Sequence, residues 1–484
     1  MVDDYFTYIH PLIPVPHEPT FREQLARRED MSDRSFLALL ASMIEALVAS
    51  FPRRPRQLFT SPSAKATYPN ASSLINRCHY VYNEARGKGF LDRDDHNLYD
   101  AIGCYFVAVS AGYTFDLRRC RLYVSECIMV LRLLGFQKPE EQSRHDLGQS
   151  VNDLNTQDLV YQQIGRRLFW ICFVTCMSYR QIGCSDSDIL MPNAHSENLP
   201  PLAVEVDDEF ITRDQIYAQP AGQVSLMVGF NYNVKIFQAF HAITAIEMAV
   251  GYDTLFDWNR QRLSIRKSLN SVKNVITNVP PELRLVKRED PGEWPPRQTD
   301  ISQYSHLFNG RRDPSADQVG LLHASDSRRT TDYPKRTVQY EIQKANIYAT
   351  QLATRSYLVE RYWDLYDQNE KMNTSIGTSD AKTGKESMYS SPTMQILTTG
   401  PETRFPMPNI GASSESASTG MDTGEELMAL EREDIIKDLA ILLGSINQVN
   451  MEPNGLSFVS NFLSDAVTSV ICTNAILSAP RFDK

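Results

Sequence analysis

The sequence predicts an all-α protein, a multi-helical bundle built from stacked helical pairs. Three observations carry that prediction. The run 168–177 is apolar at every position except Thr175, so it must be buried on every side, and its polar flanks continue without proline as a helix over 161–180. Segment after segment places apolar residues three and four apart. The breaks between segments are the Gly and Pro residues that stop helices, such as Gly87, Gly135 and Pro280-Pro281.

In chain order, residues 1–21 combine aromatic anchors (Tyr5, Phe6, Tyr8, Phe21) with Pro11, Pro14, Pro16 and Pro19, which predicts an extended lead-in rather than a helix. A helix over 33–50, capped by Ser32, follows with Phe36, Leu39, Leu40, Met43 and Leu47 on one face. Residues 74–86 form the next helix, closed by Gly87. Residues 95–113 and 116–134 make a pair. The second member carries Leu117, Cys120, Val124, Cys127, Leu131 and Leu134 on one face and ends at Gly135. Paired helices suggest stacking, although no repeat is visible at the level of sequence.

The central helix over 161–180 begins with Arg166-Arg167-Leu168-Phe169-Trp170. Arginines at a helix start usually keep their charge in water and lay their stems on apolar surface, which is the role expected of Arg166 and Arg167. After Leu199-Pro200 and the acidic turn Asp207-Asp208-Glu209 comes a long helix over 223–250, with Phe230, Val234 and Phe237 on one stripe and Ile236, Phe240, Ile243, Ile246 and Val250 on a neighbouring one. A helix over 263–275 stops at Pro280-Pro281. Residues 287–335 are polar and aperiodic. A strong helix over 338–365 presents Ile342, Ala345, Ala349, Leu352, Val359 and Trp363. The Ser/Thr/Gly/Pro-rich stretch 369–424 has too few large apolar residues to offset its ordering entropy, so disorder is expected there. Two helices, over 426–449 and 458–477, close the chain; the first is striped by Leu430, Ile435, Leu439, Leu442, Ile446 and Val449.

The 484 residues carry a net charge of −10, which disfavours nonspecific binding to phosphate backbones. The eight cysteines sit mostly in apolar helical stretches, as reduced thiols packed like small hydrophobes. The acidic start Met1-Val2-Asp3-Asp4 is unlike a secretory signal. No catalytic constellation is complete. Gly377 and Gly384-Lys385 enclose six residues where a phosphate loop needs four, and Gly455-Leu456-Ser457 lacks the closing glycine of a nucleophile elbow. His17-Glu18 has Phe21 where a zinc protease needs its second histidine. Consecutive carboxylates at 207–209 point apart and are expected to be solvated. Cys172, Cys176 and Cys184 are wrongly spaced for a zinc site. A non-enzymatic protein without metal or cofactor is the expectation.

Taken in order, several of these pieces resemble the middle homology region of fungal zinc-cluster transcription regulators. They are Tyr8-Ile9-His10-Pro11 with Pro19-Thr20-Phe21, Arg166-Arg167-Leu168-Phe169-Trp170, Leu199-Pro200, Val206-Asp207-Asp208-Glu209-Phe210, and Pro280-Pro281. Residues 343–352 resemble the late helix of one group within the family. Where members usually carry a Gly-Arg-Pro turn this chain has Gly183-Cys184-Ser185, and the six-cysteine binuclear zinc cluster is not found in the sequence. The resemblance implies a helical regulatory domain at 1–285 and a polar insertion at 286–336. A late core helix at 337–368, a disordered linker at 369–424, and a C-terminal helical pair at 425–484 that doubles as a candidate activation segment complete the division. It further implies a nuclear protein that regulates RNA polymerase II transcription of a pathway or gene cluster. Its partners would be other transcription proteins or coactivators, a dimer is admitted, and DNA is contacted only if a zinc cluster lies upstream. The alternative is a helical ligand- or protein-binding module with no promoter role. Arg166, Arg167, Leu168, Phe169, Trp170, Leu199, Pro200, Pro280 and Pro281 are the family signature, with structural roles expected.

Overall fold

A computed structural model of the chain describes residues 1–51, 59, 61–136, 158–181, 199–250, 257–285, 327–380 and 423–455. Among them there is no β-strand, and a lone bridge joins Ile211 to Ile216. Ten helices carry the fold: α1 (Glu18–Ala26), α2 (Arg34–Ser50), α3 (Ala71–Arg86), α4 (Leu98–Tyr113), α5 (Leu117–Leu133), α6 (Leu159–Gln181), α7 (Leu226–Val250), α8 (Trp258–Val275), α9 (Ser327–Asp380) and α10 (Thr423–Ser445).

Local chemistry sets the helix starts. Asp33, not Ser32, caps α2, its carboxylate accepting from the Ser35 and Phe36 amides at 2.8 and 3.1 Å. Asn70 and Asn97 close capping boxes at α3 and α4. Asp257 caps α8 through the Arg260 amide at 3.0 Å, which starts that helix five residues before the expected 263. At helix ends, Gly87 and Gly135 adopt φ of +77° and +82°, a conformation that a side chain disfavours.

The lead-in is helical, not extended: Val2–Asp4 continues into a wider turn at Tyr5–Ile9. No proline falls in residues 2–9. Pro11, Pro14 and Pro16 occupy the connection, and Pro19 stands in the first turn of α1, where its missing N–H costs nothing.

Helix α2 packs against both α3 and α4, and α4 packs against α5; α7, α8, α9 and α10 form a second group. Helix α6 lies between them, against α4 and α5 on one side and α7 on the other. As its composition requires, Leu168, Trp170, Phe173 and Met177 are all buried. Trp170 meets the Phe169 and Phe173 rings edge-on at 5.3 and 5.2 Å and donates its indole N–H to the Pro201 carbonyl at 3.0 Å. Six cysteines are buried free thiols, with Cys127 Sγ 3.6 Å from Cys172 Sγ; burial pushes the Cys176 thiol far above its ordinary range. Cys184 and Cys472 lie outside the described residues.

Helix α9 exceeds the expected 337–368 at both ends, so residues from Ser327 belong to it rather than to an irregular insertion, and residues 369–380, expected to be disordered, are helical. Past Leu365 its sequence is rich in adequate helix formers such as Glu370, Lys371 and Met372. The remainder of both polar stretches, and the helix expected at 458–477, lie outside the described residues.

Helix α10 docks on α9 and buries Met428, Ile435 and Leu442, with Ile446 buried just past its end. Leu430 and Val449, expected in the same stripe, face solvent. Glu431 is 4% exposed and anchors the contact, accepting from Arg355 Nε and Lys273 Nζ at 2.6 Å each. Arg355 also reaches Asp438 at 2.7 Å, and Arg432 forks onto Glu360. No helix among the described residues is long and apolar enough to cross a membrane.

Candidate functional site

The signature arginine of α6 is the centre of a buried ionic latch. Arg167, on the N-terminal half of α6, faces the lead-in, where it bonds the Pro14 carbonyl. It is fully buried, which corrects the expectation of a solvated charge. Its Nη1 donates to Asp208 Oδ1 at 2.6 Å and to the Pro14 carbonyl at 3.2 Å. Arg166, by contrast, is half buried, in keeping with a charge held at the surface.

Asp208 belongs to the acidic turn, and the turn is not solvated as expected: Asp207 and Asp208 are both buried, leaving Glu209 alone exposed. The reason is that each carboxylate meets a cation and a helix start. Asp208 Oδ2 accepts from the Glu18 amide at 2.8 Å, at the first turn of α1, and lies 3.4 Å from His10 Nε2. Burial alone would raise its carboxyl, but Arg167 and His10 outweigh that and hold it well below the usual carboxylate range. Asp207 caps α7, its Oδ1 accepting from the Leu226 amide at 2.9 Å and from Ser225 Oγ at 3.1 Å, while Oδ2 accepts from Gln219 at 2.8 Å and pairs with Arg336 of α9. Lys335 reaches Glu18 at 3.4 Å.

Two histidines complete the latch. His17 Nε2 lies 2.9 Å from the Asp208 carbonyl, which can only accept, so Nε2 carries the proton and Nδ1 accepts from Thr20 Oγ1 at 2.8 Å. This is the neutral ring, and burial lowers the imidazole below its ordinary range even though Asp208 opposes the shift. His10 Nε2 donates to the Pro16 carbonyl at 3.1 Å. Nearby, Gln339 and Gln343 of α9 donate to the Phe6 and Pro11 carbonyls at 3.0 and 2.9 Å.

The polar groups of the latch are largely committed to one another. Both oxygens of Asp208 and both nitrogens of His17 are engaged within the protein, and among the described residues the one hydroxyl bonded to either histidine is that of Thr20, which His17 uses. Two further nitrogens of Arg167, Nε and Nη2, are buried without a hydrogen-bond partner. Among the described residues no group of three metal-ligating side chains converges.

The other signature residues surround the latch or stand apart from it. Leu168, Phe169 and Trp170 are core, Leu199 is half buried, and Pro200 is buried beside the Pro201 carbonyl that receives Trp170. Pro280 and Pro281 start a short turn, Pro281–Leu283, that sinks Val279 and Leu283 into the core at the far end of α8. Sequence reasoning missed His10, His17 and Asp208 as one cluster. The one local hint was an acidic turn framed by apolar Val206 and Phe210.

The latch is thus a packed, internally bonded cluster within an all-α scaffold. Residues 2–176 match the family described as Fungal specific transcription factor domain. No curated protein and no solved structure matches the chain.

Proposed function

We propose that this chain is the regulatory part of a fungal transcription regulator, acting in the nucleus on RNA polymerase II transcription through protein partners rather than by catalysis. The observation that carries the reading is the family match over residues 2–176, whose signature residue Arg167 is the hub joining that segment to the rest of the fold. The acidic α10 is part of the packed body, held by Glu431, so regulation belongs to the whole chain and not to residues 425–484 alone.

Fusing residues 1–484, and separately 425–484, to a foreign DNA-binding domain beside a reporter gene in a fungal host tests this. The full-length fusion is expected to change reporter output and the short one to leave it unchanged. Activity of the short fusion alone would assign the function to a released acidic helix. Silence of both under every inducing condition would leave a helical binding module without a promoter role.

A further inference from the structure

A second set of buried polar groups lies where α6, α7 and α9 converge. Phe173 of α6 meets the His241 ring of α7 at 5.5 Å between centroids, Thr244 Oγ1 lies 3.7 Å from Met177 Sδ, and Gln181 Nε2 donates to Thr354 Oγ1 of α9 at 2.8 Å. Further along α7, Glu247 accepts from Tyr357 at 2.8 Å and from Arg361 Nε at 3.0 Å, so its charge is already matched.

Three groups here have hydrogen-bonding capacity that the described residues do not fill. His241 is 7% exposed and neither ring nitrogen has a partner. Gln181 Oε1 is buried and accepts from nothing. Arg180, half buried beside Gln181, makes no hydrogen bond or ion pair among the described residues, yet it is close enough to act on both His241 and Glu247. Burial, reinforced by Arg180, lowers the His241 imidazole, so the ring is neutral and offers one donor and one acceptor. Buried groups of this kind are costly to leave unpaired, and two of them in one junction, beside a half-buried positive charge that has no counter-ion among the described residues, describe a complementary ligand.

We propose that this junction binds a small organic carboxylate that also carries a hydroxyl or amino group. The planar fork of Arg180 suits the carboxylate, and its position at the edge of the junction keeps the ligand's charge near water. Gln181 Oε1 accepts the hydroxyl or amino hydrogen. His241 hydrogen-bonds the ligand from within, with Phe173 as the apolar wall. The site is separate from the latch and stands independently of the transcriptional reading, since it is tested on the purified chain without a promoter.

The test is calorimetric titration of the purified 484-residue chain with L-malate, L-lactate, L-serine and acetate, repeated on Arg180→Gln and His241→Phe, alongside thermal unfolding of each protein without ligand. The expected result is saturable binding of at least one of the donor-bearing acids. Binding should be about tenfold or more weaker for acetate and for Arg180→Gln, as loss of one charge-assisted contact predicts. His241→Phe should lose binding yet unfold no lower than the parent, because an apolar ring replaces one with two unpaired nitrogens. Absence of saturable binding, acetate binding as tightly as the others, undiminished binding by Arg180→Gln, or a lower unfolding temperature for His241→Phe each overturns the proposal.

Discussion

At the scale of single residues, Arg167 and Asp208 form the contact on which the arrangement of the lead-in depends. Removing one member of a buried pair leaves the other charge without a counter-ion, which typically costs about 3–5 kcal/mol. Asp208→Asn, nearly equal in shape, is therefore expected to lower the urea stability by that amount, and an unchanged midpoint would show that the pair contributes nothing. His17 makes the latch sensitive to acid. Its imidazole is depressed in the fold, so the stability it contributes is complete above the ordinary imidazole value of about 6.5 and is lost as pH falls from there toward the lower folded value. Asp208, depressed in turn, adds a second loss below the ordinary carboxylate range. His17→Gln should lessen the loss of stability that sets in as pH falls below about 6.5, where the lowered His241 also contributes, while leaving the more acidic loss in place, measured as urea midpoint against pH. None of this was legible in the sequence. Arg167 stands in an apolar run that reads equally well with its charge outside, and 191 residues separate His17 from its partner carbonyl. Local patterns carry no information across such a distance.

At the scale of elements the sequence was far more informative, because helical periodicity is local. The stripes of α2 and α7 are buried where the spacing put them, and the breaks at Gly87, Gly135 and Pro280 end helices as expected. The failures are also physical. Helix α10 buries a narrower stripe than its apolar residues suggest, since Glu431 takes a core position in return for Arg355 and Lys273. The approach of α7 to α9 hides a further requirement at Gly229. A methyl group there would stand 2.3 Å from Gln343 Oε1, and Gln343 cannot swing away without giving up its bonds to the Pro11 and Leu226 carbonyls at 2.9 and 2.7 Å. Gly229→Ala, normally favourable in a helix, is expected to destabilise by about 1–3 kcal/mol. Adding Gln343→Ala should cost less in that background than in the parent, because the clash is gone; strict additivity in chemical denaturation would refute the contact.

For the whole molecule, charge sets the expectation. With a net charge of −10, residues 1–484 should show no sequence-specific binding to promoter DNA near physiological salt, and a fluorescence anisotropy titration with nanomolar, sequence-dependent affinity would contradict this. Whatever this chain does at a promoter would then pass through its helical surfaces. The outward side of α10, where Leu427, Leu430 and Ile436 are exposed among acids, is one such surface.

The bonds from Gln339 and Gln343 back to Phe6 and Pro11 span 333 and 332 residues of chain. On a ribosome adding about 5–20 residues each second, the first residues emerge roughly 20–70 s before α9 exists to receive them. The segment matched to the family ends at residue 176, before Asp208, so at that point of synthesis Arg167 has no counter-ion. The growing chain must therefore shelter its own beginning, or be sheltered by a chaperone, until more than two thirds of the protein has been made. A fragment cut at the family boundary would remain in that unfinished state.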